Sequence, residues 1–289
     1  MRLALTLDDA PSIAESGVPA DPAIMDAIRE TLKSNGVRHC VAFVIGRVAM
    51  GHEGTLERWL ADGYELGNHT FEHPRAGRVD VATFIDSVRR CDELLERIGA
   101  FQPGKPRWFR FPYLSRGRDR TARDEIHAAC EGLGYRIAHA SADFHDDRFE
   151  QPLERAKRAG DGAAVATVGN RYEQVALGSL RHAANRMLRT QGRIAPLVPY
   201  GHFGPITRDR LDGILASLRA ARTELCTLDE AMTDPVYRSF DADRSRDGLV
   251  TSTLPRSPLT RAVARMARLS ERAGVAGQRR YGPRWPYLL

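Results

Sequence analysis

The stretch that decides the fold lies at the start of the chain, where residues 3–12 read LALTLDDAPS. Its apolar half is typical of a buried β-strand, and the run ends in two adjacent carboxylates, Asp8 and Asp9, before the turn-forming Pro11. Because successive side chains of a strand point to opposite faces, the two aspartates point in different directions and can have different roles. A buried strand ending in paired carboxylates is therefore predicted.

Strand-like and helix-like segments alternate along most of the chain. The first helix is predicted after Asp21, a plausible N-cap, with Pro22 at its first position and Gly36 as its stop, and VRHCVAFVIG then indicates a buried strand. This alternation predicts an α/β fold with a parallel sheet covered by helices, and the chain length favours a closed or distorted barrel over an open sheet. Residues 150–192 hold little strand signal, so we expect a helical insertion there.

The charge of the chain is concentrated near its C-terminal end. We expect a catalytic domain over residues 1–240 and a linker with a basic extension over 241–289. The net charge is +6, and residues 261–289 hold seven arginines against one acid, Glu271, a local excess of the same size. The body is therefore close to neutral, which argues against a basic groove, and no nucleic-acid partner is expected.

Cysteine usage and hydropathy indicate the compartment. The four cysteines lie far apart with no CxxC pair, which favours isolated thiols in a reducing compartment: Cys40, Cys91, Cys130 and Cys226. No apolar stretch approaches the ~18 to 20 residues that a membrane span needs. With no visible signal peptide the expected location is the cytoplasm, and a removed leader is left open.

Polar side chains follow five strand-like segments. Carboxyl ends of parallel strands are where α/β folds place their chemistry, so these side chains are expected to converge. They are Asp8, Asp9, His69, His73, Arg110, Asp143 and His202.

One carboxylate and two histidines of this set have the composition of a metal site. The histidines are spaced i and i+4, which would place them on one face of a helical turn. An aspartate and two histidines form a three-ligand site of the kind that holds a catalytic divalent ion, with a position open for water. A second carboxylate beside the ion could take a proton from that water. The residues alone leave open which of Asp8 and Asp9 has which role.

The chain resembles the polysaccharide deacetylase family, also called the NodB-homology or carbohydrate esterase 4 family. The matching segments occur in the family's order within residues 6–203: TLDDAP, NHTFEH, RFPY, SADFHDD and VPYGHFG. The resemblance implies a distorted (β/α) barrel of the NodB type and a hydrolase that removes acetyl groups from N-acetylated sugars or glycans. It also implies a divalent metal cofactor, most simply Zn²⁺, with Co²⁺, Ni²⁺ or Fe²⁺ as alternatives.

The resemblance implies a role for each matching residue. Asp8 would be the general base and His202 the general acid, Arg110 would orient the base, and the backbone N–H of Tyr113 would stabilise the oxyanion. The metal ligands would be Asp9, His69 and His73. Asp143 would support Arg110 or His202.

The chain departs from the family at the fourth motif. A tryptophan normally follows its aspartates, but Asp147 and Arg148 stand there, and Phe144 or Phe149 could supply the missing wall. The other aromatic side chains of interest, Trp59, Trp108 and Phe109, could stack on a sugar but are more typical of a core.

Alternative functions stay open. One is a C–N hydrolase acting on a non-sugar amide. Another is a non-catalytic binding protein of the same fold that uses a stripe of arginines at helical spacing, Arg261, Arg265, Arg268 and Arg272, although a solvated helix face is the simpler interpretation of that stripe. For a hydrolase, one hypothesis for the substrate is a small soluble N-acetyl sugar or sugar-bearing metabolite, since a helical region that covers the site would restrict access to it.

Overall fold

The computed structural model describes residues 1–13 and 20–242, with side chains up to residue 238. A seven-stranded sheet, all of whose pairs are parallel, has the order β6-β5-β4-β3-β2-β8-β7. A separate short pair joins β1 to β9. The strands are β1 (Arg2–Leu3), β2 (Thr6–Ala10), β3 (Val41–Val44), β4 (Glu65–Asn68), β5 (Arg107–Phe109), β6 (Tyr135–Ile137), β7 (Ala142–Asp143), β8 (Pro199–His202) and β9 (Glu224–Leu225).

Helices connect the strands and cover the sheet. They are α1 (Ala23–Ser34), α2 (Gly46–Ala49), α3 (Glu53–Ala61), α4 (Val81–Arg97), α5 (Arg120–Gly132), α6 (Asp147–Arg158), α7 (Gly162–Gln191), α8 (Pro205–Ala220), α9 (Leu228–Met232) and α10 (Pro235–Ala242). A single 3₁₀ turn, Pro112–Leu114, follows β5.

The apolar pattern explains why these segments take their places. All four residues of β3 are buried, as expected for a parallel strand covered on both faces. The long helix α4 is capped at its N-terminus by Asp80, whose side chain accepts the N–H of Thr83, and it buries one face that includes Phe84 and Leu95. The core thus lies between the sheet and its helices.

The sheet curls without closing. Within the described residues, β6 and β7 stand at its two edges and do not pair with each other. The result is a curled half-barrel with the carboxyl ends of β2, β4, β5, β7 and β8 along one rim. This confirms the predicted distorted (β/α) barrel.

Several local predictions are confirmed. The first predicted helix is α1, which begins at Ala23, so its N-cap is Pro22 and not the predicted Asp21, although the Asp21 carboxylate accepts the N–H of Ala23. The predicted helical insertion consists of α6 and α7. Three aromatic side chains are buried in the core, namely Trp59, Trp108 and Phe109, as are the four free cysteines.

The C-terminal part carries predictions that stay open. The basic extension, including its arginine stripe, lies outside the described residues, and the boundary near residue 240 stays a prediction. In the described part of the chain, none of the helices is long and apolar enough to cross a membrane.

Candidate active site

The predicted site residues converge on one cavity at the rim of the half-barrel. Its volume is about 790 Å³. Seven of the eight residues line it: Asp8, Asp9, His69, His73, Tyr113, Asp143 and His202. The eighth, Arg110, is fully buried directly behind Asp8.

Asp9, His69 and His73 form a cluster with the donor atoms of a metal site. The Asp9 Oδ1 atom lies 3.5 Å from His69 Nε2 and 3.4 Å from His73 Nε2. One donor atom from each of the three residues falls within a mutual distance of 4.8 Å. Among the described residues, Asp9 Oδ1 is buried and has no hydrogen-bond partner.

The two histidines are prepared to act as neutral ligands. The His69 ring is held by a 2.8 Å contact between Nδ1 and the carbonyl oxygen of Arg110, so a proton on Nδ1 leaves the Nε2 lone pair facing Asp9. Burial lowers the pKa of His69 to about 3 and that of His73 to about 4. A carboxylate and two neutral imidazoles with an orphaned, buried oxygen fit a divalent cation, and they match catalytic zinc ligands.

The loop between these histidines is not the predicted helical turn. Thr70 and His73 both have positive φ, 68° and 55°, in the left-handed region. The Asn68 side chain accepts the N–H of Thr70, and the Thr70 hydroxyl accepts the N–H of His73. These side-chain hydrogen bonds compete with helix formation and hold the loop, which still brings both Nε2 atoms to Asp9.

Asp8 is a buried carboxylate held by an arginine. Arg110 Nη1 donates to Asp8 Oδ1 at 3.0 Å and to the Thr6 hydroxyl at 2.8 Å, while Arg110 Nε donates to the carbonyl of Ala138. Burial raises the pKa of Asp8, although the Arg110 guanidinium opposes that rise. The structure therefore places Arg110 where it orients Asp8.

His202 faces the cavity from the end of β8, opposite Asp8 in strand register. Its Nδ1 lies 2.9 Å from Asp146 Oδ1, and its backbone N–H donates to Asp146 Oδ2 at 2.6 Å. The Thr207 hydroxyl donates to the same carboxylate. Burial disfavours the charged imidazole, but Asp146 outweighs that cost, and the pKa of His202 is raised well above its usual value.

The carboxylate that contacts His202 belongs to Asp146, so the predicted role of Asp143 as a support for Arg110 or His202 is wrong. Asp143 accepts the N–H of His145 at 2.7 Å and pairs with the His145 ring at 3.1 Å, and neither Arg110 nor His202 is among the partners the structure gives it. The buried Asp146, three residues on, contacts His202 instead. Sequence reasoning missed Asp146, although the second aspartate of SADFHDD was the available signal.

Tyr113 lies on the rim in a strained backbone conformation. Its φ of 57° and ψ of 17° lie in the left-handed region, as does the φ of 63° at Asp9. Backbone strain of this kind concentrates where a site fixes its groups. The exposed Tyr113 ring lies 4.6 Å from the His73 ring, and the Arg75 guanidinium lies over the Tyr113 ring, 4.3 Å from its centre.

The wall expected from an aromatic side chain is polar. Phe144 is fully buried in the core, and Phe149 packs against Tyr172, so neither lines the cavity. The wall beside His202 consists instead of Asp147, Glu150 and Gln151, all from α6. Among the described residues that line the cavity, none comes from α7.

The fold and site together define a curled α/β half-barrel with a candidate metal centre at its rim. The family model described as polysaccharide deacetylase matches residues 1–137, which contain the first three motifs. Over these residues the chain is similar to the polysaccharide deacetylase family, the carbohydrate esterase family 4, as its motifs indicate.

Individual relatives agree with this family. The chain is 31% identical over 159 residues to the chitin deacetylase of Colletotrichum lindemuthianum, covering 52% of this chain and 54% of that protein. It is 31% identical over 101 residues to the peptidoglycan-N-acetylmuramic acid deacetylase PdaC of Bacillus subtilis, covering 35% of this chain and 20% of that protein. The chain thus spans about half or less of the length of these two relatives.

Solved structures support the fold. The alignment with the structure of PdaC covers 84% of this chain and 96% of the PdaC chain, with a TM-score of 0.52 and 21% identity. The alignment with a carbohydrate esterase family 4 pseudoenzyme from Bacillus anthracis covers 80% of this chain and 65% of the pseudoenzyme chain, with a TM-score of 0.54 and 17% identity. At these identities the likeness shows the fold alone.

Proposed function

We propose that the protein is a metal-dependent hydrolase that removes the acetyl group from an N-acetylated sugar or glycan and releases acetate. The observation that carries this proposal is the placement of Asp8 and His202 in one cavity with the Asp9–His69–His73 cluster. Amide hydrolysis needs an activated water, stabilisation of the oxyanion and a proton for the amine, and these groups can supply all three.

Asp8 is proposed as the general base. Its carboxylate lines the cavity, and the hydrogen bond from Arg110 fixes its orientation. A pKa raised by burial makes it a better proton acceptor than a solvated aspartate once it is ionised. Asp8 therefore takes the proton of the water that attacks the acetyl carbonyl.

His202 is proposed as the general acid. Asp146 holds the ring through Nδ1, so the Nε2–H faces the cavity and can be given to the departing nitrogen. Because the pKa of His202 is raised, the imidazolium form persists at neutral pH and the proton is available. Asp146 is a positioning residue for this step.

The remaining groups complete the proposed site. The Tyr113 N–H is proposed to stabilise the oxyanion together with the ion. Asp9, His69 and His73 would hold that ion, proposed to be Zn²⁺, which when bound supplies Lewis-acid polarisation of the carbonyl and a lowered pKa for water.

The substrate is proposed to be an N-acetyl sugar small enough for a cavity whose wall is formed by α6. The relatives are a chitin deacetylase and a peptidoglycan deacetylase, which supports an N-acetylated glycan chemistry in general. Greater activity on polymeric chitin than on short sugars would contradict the small-substrate part. The protein is also proposed to be cytoplasmic, and cell fractionation would test that location.

The pseudoenzyme neighbour gives a specific reason to consider a non-catalytic role. In this chain the base, the acid and all three candidate ligands converge in one cavity, which supports catalysis instead.

The other alternative is a hydrolase that acts on a non-sugar amide. A protein that binds metal but releases acetate from no N-acetyl sugar would favour this alternative.

The test is acetate release from a panel running from N-acetylglucosamine to chitin oligomers and N-acetylated glycosides. We expect the wild type to release acetate and Asp8→Asn to lose the activity by a factor of at least ~100 while retaining its fold. Asp26→Asn is the matched control, because Asp26 pairs with Arg58 on the surface away from the cavity. Equal activity in the wild type and in Asp8→Asn would refute the assignment of the base.

A further inference from the structure

The charged side chains that line the cavity are divided by strand order. Arg47 follows β3 and Arg75 follows β4, on one side of strand β2 in the sheet. Asp147 and Glu150 follow β7, on the other side of β2. The cavity therefore has a basic half and an acidic half, with the candidate metal ligand Asp9 at the end of the strand between them.

Arg75 is the most available cation of the basic half. Its guanidinium lies 4.3 Å from the centre of the Tyr113 ring, and that ring lies 4.6 Å from the ring of His73. In the part of the chain that the structure describes, no carboxylate lies within ion-pair distance of Arg75. Stacking on an aromatic ring covers one face of a guanidinium, while its N–H donors point outward in the plane of the group and stay free to bind another partner.

Arg47 adds to the positive charge of the basic half of the cavity. Its Nε lies 3.3 Å from one carboxylate oxygen of Glu72, whose other oxygen lies 3.2 Å from Arg90 Nη1. One glutamate thus faces two arginines, so the group retains a net positive charge beside Arg75.

We propose that Arg75, supported by Arg47, binds an oxyanion carried by the substrate. The substrate class is then an N-acetylated sugar with a carboxylate or phosphate on the acetylated unit or its neighbour. This proposal rests on the proposed deacetylase function and names its substrate class. Arginine is suited to such groups because two of its N–H donors match two oxygens. The acidic half repels the same anion, so the two halves together fix which way the sugar lies.

The kinetic test compares three probes: N-acetylglucosamine, N-acetylglucosamine 6-phosphate and N-acetylmuramic acid. The readout is the ratio of kcat/KM for each anionic sugar to that for the neutral sugar. We expect this ratio to exceed one in the wild type and to fall about tenfold in Arg75→Gln, a loss typical of one hydrogen bond to a charged group. Arg75→Lys should retain part of the preference for the anionic sugar, because lysine keeps the positive charge but lacks the two parallel N–H donors of the guanidinium.

The control is Arg78→Gln, an exposed arginine that does not line the cavity, which should leave the ratio at its wild-type value. The two anionic probes separate the sources of the oxyanion: preference for one alone identifies phosphate or carboxylate. A ratio near one for both in the wild type, or an equal ratio in the wild type and Arg75→Gln, would overturn the proposal.

A binding measurement separates this proposal from the proposed reaction. Calorimetry on Asp8→Asn reports affinity without turnover, and the same titration is repeated on Asp8→Asn with Arg75→Gln. Tighter binding of an anionic sugar to the first, lost in the second, supports the oxyanion site even if no sugar yields acetate. Acetate release with no such difference in affinity would leave the hydrolase standing and refute the oxyanion site.

Discussion

Replacing Asp146 by Asn tests how the acid is held. Asn keeps the size of the buried side chain but removes the charge that faces His202 through contacts of 2.9 Å to Nδ1 and 2.6 Å to the backbone nitrogen. The protonated imidazole then loses its counter-charge, so the pKa of His202 falls. Since the acid must be protonated to act, the alkaline limb of the kcat profile moves to lower pH.

The expected size of this shift follows from the contacts. A hydrogen bond to a charged group contributes about 1.5 to 3 kcal/mol, and about 1.4 kcal/mol corresponds to one pKa unit. The Nδ1 contact is the one that depends on the charge state of the ring, so the alkaline limb should move by about one to two pH units.

The assay is acetate release at saturating substrate over a range of pH, for the wild type, Asp146→Asn and Asp143→Asn. Asp143 pairs with His145, so its variant should keep the alkaline limb at the wild-type position. Circular dichroism checks that each variant folds. A limb that moves in Asp143→Asn and stays fixed in Asp146→Asn would refute the placement of Asp146 behind the acid.

Three further predictions concern metal and stability. His73→Gln removes one of three candidate ligands and should weaken metal affinity at least ~100-fold, measured by competition with a chelator, while a metal content equal to wild type would contradict the ligand set. Burial raises the pKa of Glu150 to about 7, so between pH ~4.5 and 7 the folded protein binds more protons than the unfolded chain, and its stability falls as the pH rises through that range. Glu150→Gln should remove roughly 2 kcal/mol of this fall between pH 5 and 8, measured by thermal unfolding. An unchanged pH dependence in the variant would refute this prediction. Trp59→Ala should cost about 3 to 5 kcal/mol, because the ring is fully buried against Phe203 and Tyr64, whereas exposed Met50→Ala should cost under ~0.5 kcal/mol in the same denaturant titration.

The order of strands and helices could be predicted from the sequence because apolar periodicity and helix caps are local signals. The four buried residues of β3 and the start of α1 after Asp21 are examples. The open edge between β6 and β7 could not be predicted, because closure of a sheet depends on strand tilt and on distant pairing rather than on any one segment.

The site was predictable in composition but not in local geometry. The residue types at the strand ends predict that an aspartate, Asp8 or Asp9, meets His69 at one edge of the sheet. The spacing of the histidines predicts a helical turn at His73, but the left-handed conformation of Thr70 depends on the Asn68 side chain, which spacing alone does not reveal. The choice between Asp143 and Asp146 depends on the direction of the chain after β7, and that direction emerges only in three dimensions.

The most direct test of the account is acetate release as a function of metal added to chelator-treated protein. The same preparation is titrated with Zn²⁺, and acetate is measured from the best substrate of the panel. The account predicts no activity without metal and a linear rise that ends at one equivalent per chain, with the rise absent in His73→Gln at the same metal concentrations. Full activity in the metal-free protein, or a break at an equivalence other than one, would contradict a single catalytic ion at Asp9, His69 and His73.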